Sequence, residues 1–287
     1  MSAATNFKFG TVGSPYSTPK KPGGSIGTIL HLADQELRAF ELGWVRSVRV
    51  SEKTCESIRT SAENAGVELS VHAPYYINLN ADEEEWPKSR KRLMDAAHFG
   101  NLAGTTDIVF HPGSYFGKPP SEVLEVAIPR LRACIDELRS ADNFVTLRPE
   151  VMGKGAMLGS LEDTLMMSQE IEGVEPCLDF AHLHARPGDG SMNSLEEWRG
   201  MLKAYKKALG VKSLKRLHCH LSGIEYGPKG ERNHLMLSNS DFDLDGLLTA
   251  LLEYNCAGRI LCESPEDMDK DALKIKEGLE RISNAKA

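Results

Sequence analysis

The chain has 287 residues, 41% hydrophobic and 26% charged, with a formal net charge of −7. That is the composition of an ordinary globular protein long enough to bury a large core. No run approaches the roughly 18 apolar residues of a membrane span, and the acidic balance argues against a general electrostatic grip on nucleic acid, though not against a local basic rim.

The start, Met1-Ser2-Ala3-Ala4-Thr5-Asn6, has neither the basic end nor the apolar stretch of a signal peptide. Cys55, Cys134, Cys177, Cys219, Cys256 and Cys262 are scattered, with no CxxC pair. The expectation is reduced thiols in a cytoplasmic protein with no membrane attachment.

Apolar, β-branched runs alternate with amphipathic stretches along the whole chain. Phe7 to Gly10 reads as strand one, and a Gly/Pro/Ser-rich loop leads to a helix from Ser25 to Leu42. Val45 to Val50 reads as strand two, with Ser51 as N-cap of a helix that runs to Gly66. Strand three is Val67 to His72, followed by a helix over Lys88 to Leu102. Strand four is Thr106 to His111, with a helix from Ser121 to Ser140. Strand five is Phe144 to Glu150, with a helix from Ser160 to Ile171. Strand six is Pro176 to Asp179, and after a loop a helix runs from Ser194 to Ala208. Strand seven is Leu214 to His220, with a helix over Leu244 to Tyr254. Strand eight is Arg259 to Glu263, and Glu266 begins the closing helix.

Eight strand-then-helix units argue for parallel strands joined by helical crossovers, and eight such units close a (β/α)8 barrel. A doubly wound open sheet is the alternative, but no GxGxxG follows the first strand. No composition break divides the chain. The expected architecture is α/β, a single TIM-barrel domain over residues 1–287.

Six of these strands end on a residue able to hold a metal: His72, His111, Glu150, Asp179, His220 and Glu263, with His182 just past Asp179. A lone His or Glu after a strand is most often a cap or a solvated loop residue. In a barrel, however, all strand C-termini open on one face, where active sites lie, and the strand N-termini show no such pattern. More acids than one ion can use suggest a multinuclear cluster, suited to phosphate ester hydrolysis by a metal-activated hydroxide. Imidazole ligands favour zinc or manganese.

At these residues the chain resembles the endonuclease IV family of abasic-site endonucleases, built on the xylose-isomerase-like barrel. The matching stretches are Val71-His72-Ala73-Pro74-Tyr75-Tyr76-Ile77-Asn78-Leu79, Phe110-His111-Pro112-Gly113-Ser114 and Leu147-Arg148-Pro149-Glu150 with its Gly153…Gly159 loop. Leu178-Asp179-Phe180-Ala181-His182, His220-Leu221-Ser222-Gly223 and Leu261-Cys262-Glu263-Ser264-Pro265 follow in family order. The resemblance implies cleavage of DNA 5′ to abasic or damaged sites, as in DNA repair, with about three bound zinc-type ions; a monomer is expected. It places His72 and His111 on one ion and makes Glu150 a bridge to a second, which Asp179, His220 and Glu263 complete. Glu150 and Glu263 are thus the catalytic candidates.

His182 would join a third ion with residues of the loop after strand seven. Family members show Asp-x-His there, whereas this chain has Glu231-Arg232-Asn233-His234, so His234 matches and Glu231 lies one residue too far. A second departure follows strand two, where Ser51-Glu52-Lys53-Thr54 leaves little room for the family's groove-entering loop. Tyr75, Lys154 and Arg232 are candidates for contact with DNA, as are Lys118, Arg186 and Lys229. For each of these, rim packing or solvated loop charge is the competing reading. His184 is an alternative ligand to His182, His218 reads as a buried hydrogen-bonded histidine, and His31 and His98 as ordinary helix residues.

Two other functions compete. A sugar isomerase or epimerase on the same barrel would use one ion on Glu150, Asp179, His220 and Glu263, leaving His72, His111, His182 and His234 without a metal role. A metal-containing protein that binds nucleic acid without cutting it is the other.

Overall fold

The structure is a computed structural model, which describes residues 6–286. Eight parallel strands form one sheet in the order β5-β4-β3-β2-β1-β10-β7-β6. The strands are β1 (Phe7–Val12), β2 (Ala39–Gly43), β3 (Glu68–His72), β4 (Asp107–Phe110), β5 (Thr146–Pro149), β6 (Cys177–Asp179), β7 (Leu217–Leu221) and β10 (Gly258–Cys262). Isolated parallel bridges, Leu147 to Val174 and Glu150 to Cys177, join the two sheet edges and bring the barrel nearly to closure. The strands are buried on both faces apart from a few residues such as Lys8, Gly43 and Glu68, as a sheet covered by helices requires.

The helices between them are α1 (Gly24–Asp34), α2 (Glu52–Ala65), α3 (Trp86–Leu102), α4 (Pro120–Ser140), α5 (Leu161–Glu170), α6 (Phe180–Ala185), α7 (Leu195–Leu209), α8 (Leu244–Glu253) and α9 (Met268–Lys286). Their starts follow the expected chemistry. Ser51 accepts from the Thr54 amide at 3.2 Å. Ser160 with Asp163 and Ser194 with Glu197 form reciprocal capping boxes. Apolar helix faces pack on the barrel around Ile29, Leu93, Leu131, Leu202 and Leu248. All six cysteines are buried as free thiols within this packing. Among the described residues, no helix is long and apolar enough to cross a membrane.

The second unit departs from expectation. Helix α1 ends at Asp34, and the end of the expected helix is strand β2, Ala39–Gly43. Residues 44–50, expected as the strand, are a loop. Register explains the choice: Gly10 pairs with Ala39 and Gly43 with His72, which sets β2 level with its neighbours. Strand β7 also begins later than expected, since Leu214 lies in a 3-10 turn over Val211–Lys215. A two-stranded antiparallel hairpin, β8 (Gly223–Gly227) and β9 (Gly230–Leu235), replaces the loop expected after strand seven.

Candidate metal centre

The strand ends deliver their side chains to one mouth of the barrel. Three groups of ligand-type atoms gather there, with the atoms of each group within 4.8 Å of one another: His72, His111 and Glu150; Glu150, Asp179, His220 and Glu263; and His182, Glu231 and His234. Glu150 belongs to two of them. A further group, Cys177, His218 and His220, shares His220 with the quartet and reaches one strand layer deeper through Cys177 and His218, which pair with each other as Asp179 pairs with His220.

Glu150 is the hub. Its Oε2 lies 3.2 Å from both His72 Nε2 and His111 Nε2, and its Oε1 lies 3.3 Å from His182 Nδ1 and 3.6 Å from His220 Nδ1. His220 Nδ1 is 3.5 Å from Glu263 Oε1. Asp179 Oδ1 caps α6 by accepting from the His182 amide at 2.7 Å, which leaves Oδ2 turned to the centre. The short helix α6, unforeseen as a helix, thereby sets the spacing between Asp179 and His182.

Three histidines have one ring nitrogen occupied, and where the partner is a carbonyl the tautomer is fixed with Nδ1 as the donor. His72 Nδ1 donates to the Ala73 carbonyl at 2.9 Å. His182 Nδ1 donates to the Val151 carbonyl at 2.9 Å, leaving Nε2 3.5 Å from Glu231 Oε2. His234 Nδ1 meets Ser222 Oγ at 2.7 Å.

The third group depends on a bulge. Residues three apart on a regular strand face opposite ways, so Glu231 and His234 ought to diverge. In the hairpin, Glu225 pairs with Asn233 but Tyr226 pairs with Glu231, so Arg232 is an extra, unopposed residue. One bulged residue restores the same face to both ligands. The Glu231 amide donates to the Gly153 carbonyl at 2.9 Å, tying the hairpin to the loop after β5. A Cβ on Gly153 would stand 2.7 Å from Glu231 Cβ and 2.9 Å from His182 Cδ2, so only glycine fits between them.

Glu150 Oε1, Asp179 Oδ2, His182 Nε2 and His220 Nδ1 are all buried without a hydrogen-bond partner. Buried polar atoms left so are costly, and imidazole nitrogens facing carboxylate oxygens are a donor set for divalent zinc or manganese. The residues fit a metal centre. Burial alone would raise the Glu150 carboxyl, but the charge of His111 and the close approach of the His111, His182 and His220 rings hold it well below the usual range. Burial lowers His182, yet Asp179, then Glu150 and Glu231, push it up to about 10. Burial dominates at His218 and brings it down to about 4.

The other candidates fall around this mouth with different surroundings. The Tyr75 ring, half exposed, stacks on His111 at 4.8 Å between centroids, with 21° between planes. Arg186 is committed to the fold, since it donates to the carbonyls of Met152, Lys154 and Met157. Arg232 pairs with Glu225 at 3.3 Å on the exposed hairpin, and Lys154 lies in the loop that the hairpin grips. His184 is not among the ligand groups. It bonds Asp241 at 3.1 Å, and Asp241 also accepts from Tyr226, which braces the hairpin. His31 bonds Ser17 and lies 3.3 Å from Asp269 on the barrel's outside.

Sequence reasoning missed two features, both through the misread second unit. Glu41, on β2, is fully buried beside His218 and His220. Residues 44–50, expected as strand two with little room for a loop beyond it, are themselves a loop that carries exposed Arg46 and Arg49. It is tied to the site by the Trp44 amide on the His72 carbonyl and the Tyr75 amide on the Val45 carbonyl, at 3.0 and 2.9 Å. An isolated acid inside an apolar run, Ala39-Phe40-Glu41-Leu42, is the signal that was available.

Residues 30–285 match the model of the xylose isomerase-like TIM barrel family. An uncharacterised protein of Methanocaldococcus jannaschii is 35% identical over 268 residues, covering 93% of this chain and 94% of its own length. Endonuclease 4 of Thermus thermophilus is 27% identical over 262 residues, covering 88% of this chain and 92% of its own. The crystal structure of endonuclease IV from Thermus thermophilus superimposes with a TM-score of 0.72 at 24% identity, over 98% of this chain and all of that one. A D-tagatose 3-epimerase-like protein superimposes with a TM-score of 0.69 at 20% identity, over 98% of this chain and 99% of that one. Both likenesses speak to the fold.

Proposed function

Because the chain belongs to the xylose isomerase-like TIM barrel family, we propose that it is a metal-dependent phosphodiesterase of the endonuclease IV type, cutting DNA 5′ to abasic sites. The observation that carries this reading is the pair of extra ligand groups, His72–His111 and His182–Glu231–His234, on either side of the Glu150–Asp179–His220–Glu263 quartet. A single-metal enzyme has no use for either.

In this reading His72 and His111 hold one ion, and Glu150 is shared with a second held by Asp179, His220 and Glu263. His182, Glu231 and His234 hold a third. Bound divalent ions would neutralise phosphoryl oxygens and activate the attacking water, so no protein nucleophile is needed. The protein's own part is to hold these donors rigidly and to seat the DNA. Tyr75 offers a ring face at the rim, and Arg46, Arg49 and Lys154 offer charge to phosphates. We take residues 1–287 to act as one barrel domain and as a cytoplasmic monomer.

The second reading, a sugar epimerase, draws on the quartet alone and on the fold likeness to an epimerase-like protein. It needs an acid free to take a proton beside a carbonyl. Glu150 is a poor base, since His72, His111 and His182 all lie within 3.3 Å of it.

Elemental mass spectrometry and incision of a duplex carrying a tetrahydrofuran abasic analogue test the proposal together. About two to three ions per chain, falling in His111→Ala and His234→Ala, with incision on the 5′ side, are expected. A single ion that survives both substitutions, with no incision, would move the protein to the epimerase reading. A full complement of ions with abasic-duplex binding but no incision would make it a binding protein.

A further inference from the structure

Glu41 is an acid where the barrel interior has no evident need of one. It lies on β2 with no exposure, and a buried carboxylate is costly unless it is paired and hydrogen-bonded. Its Oε2 accepts from Ser70 Oγ at 2.7 Å and from His218 Nε2 at 2.8 Å. Its Oε1 faces His220 Nε2 at 3.0 Å. These last two atoms lack an aligned hydrogen bond, and both are buried without another partner. One is a donor in the required tautomer and the other an acceptor, so a small rotation of the imidazole satisfies both.

His220 is therefore held differently from its neighbours. His72 and His182 have one nitrogen on a backbone carbonyl and His234 has one on a serine hydroxyl, whereas His220 has a carboxylate. Its other nitrogen, Nδ1, is the one that faces Glu150 and Glu263. A carboxylate behind a ligating imidazole orients the ring and makes it a stronger donor.

We propose that Glu41 is a positioning residue for the quartet's metal ion: it holds His220 as the Nε2–H tautomer, so that Nδ1 is the ligand atom. Ser70 and His218 complete the arrangement by fixing the opposite oxygen of Glu41. The inference rests on the metal-centre reading, but it holds equally for a phosphodiesterase or an epimerase, since both use the quartet.

Two measurements test it without an activity assay. Zinc is titrated into wild type and Glu41→Gln against a chromogenic chelator, with circular dichroism confirming that the variant folds. The variant keeps the shape and removes the charge. One site is expected to weaken by about 10- to 100-fold, with the others unchanged. In the zinc-loaded wild type, nitrogen NMR of labelled histidine is expected to show one ring, assigned as His220 by its loss in His220→Asn, protonated at Nε2 and coordinated through Nδ1. This second reading does not depend on Glu41→Gln folding. Coordination through Nε2, or equal zinc affinities in Glu41→Gln at every site, would overturn the role of Glu41 and leave the metal centre standing. A wild type that takes up no zinc would overturn both.

Discussion

Arg232 is the extra residue that lets Glu231 and His234 face one way. The geometry makes a counter-intuitive deletion tolerable. Removing Arg232 leaves Glu231 and His234 two positions apart on an unbulged ladder, with both still on one face. The deletion is expected to retain the metal content of wild type and to cost no more than about 1 kcal/mol, a shift of roughly 2–4 °C in Tm. Loss of one ion in the deletion variant would show that the bulge is not what aligns the pair. Gly153→Val acts on the same group from the other side. Its side chain would meet Glu231 Cβ and His182 Cδ2 at under 3 Å, so about 1–3 kcal/mol of overpacking is expected. Chelator competition is expected to show one site weakened at least tenfold while the Glu150 sites persist.

Loop 44–50 is where sequence and structure part, and the reason is physical. Val45, Val48 and Val50 make a short β-branched run among arginine and serine, and β-branched enrichment is a usual strand signal. A barrel strand is instead buried on both faces, and Ala39-Phe40-Glu41-Leu42 continued the pattern of the preceding helix well enough to be absorbed into it. The other strand ends were legible because each apolar run stops at a polar residue, His72, Glu150 or Asp179, that is itself a ligand candidate. The hairpin and α6 were not legible, since a six-residue helix and a bulged ribbon leave too short a pattern. Arg46 and Arg49 are exposed, on a loop hydrogen-bonded to the His72 and Tyr75 segment. Arg46→Ala and Arg49→Ala are each expected to weaken abasic-duplex binding and to reduce the slope of log K against log salt by about 1, with metal content unchanged. Unaltered affinity and slope, measured by fluorescence anisotropy over a salt series, would remove the loop from the DNA interface.

The two mouths of the barrel use charge in opposite ways. At the C-terminal mouth, carboxylates and imidazoles converge with atoms left unpartnered, an arrangement that calls for a bound ion. At the N-terminal mouth the charges are closed on themselves. Asp107, at the start of β4, meets Arg148 Nε at 2.6 Å and Arg259 Nη2 at 3.3 Å, and Arg148 also lies 3.4 Å from Glu175. Burial would raise the Asp107 carboxyl, but the guanidinium charges of Arg148 and Arg259 hold it well below the usual carboxylate range. With the folded value below the unfolded one of about 3.9, the stability this group contributes is fully present above pH ~4 and is lost as pH falls through the folded value. Asp107→Ala leaves two buried guanidinium groups short of a partner and is expected to cost about 3–5 kcal/mol at neutral pH. The gap between wild type and variant is expected to narrow as the pH of urea unfolding is lowered from 5 to 2.5. Because the pair lies at the far end of the strands from Glu150 and His220, zinc stoichiometry of the folded variant is expected to match wild type. A loss of zinc with little loss of stability would mean that the two mouths are coupled through the strands rather than built separately.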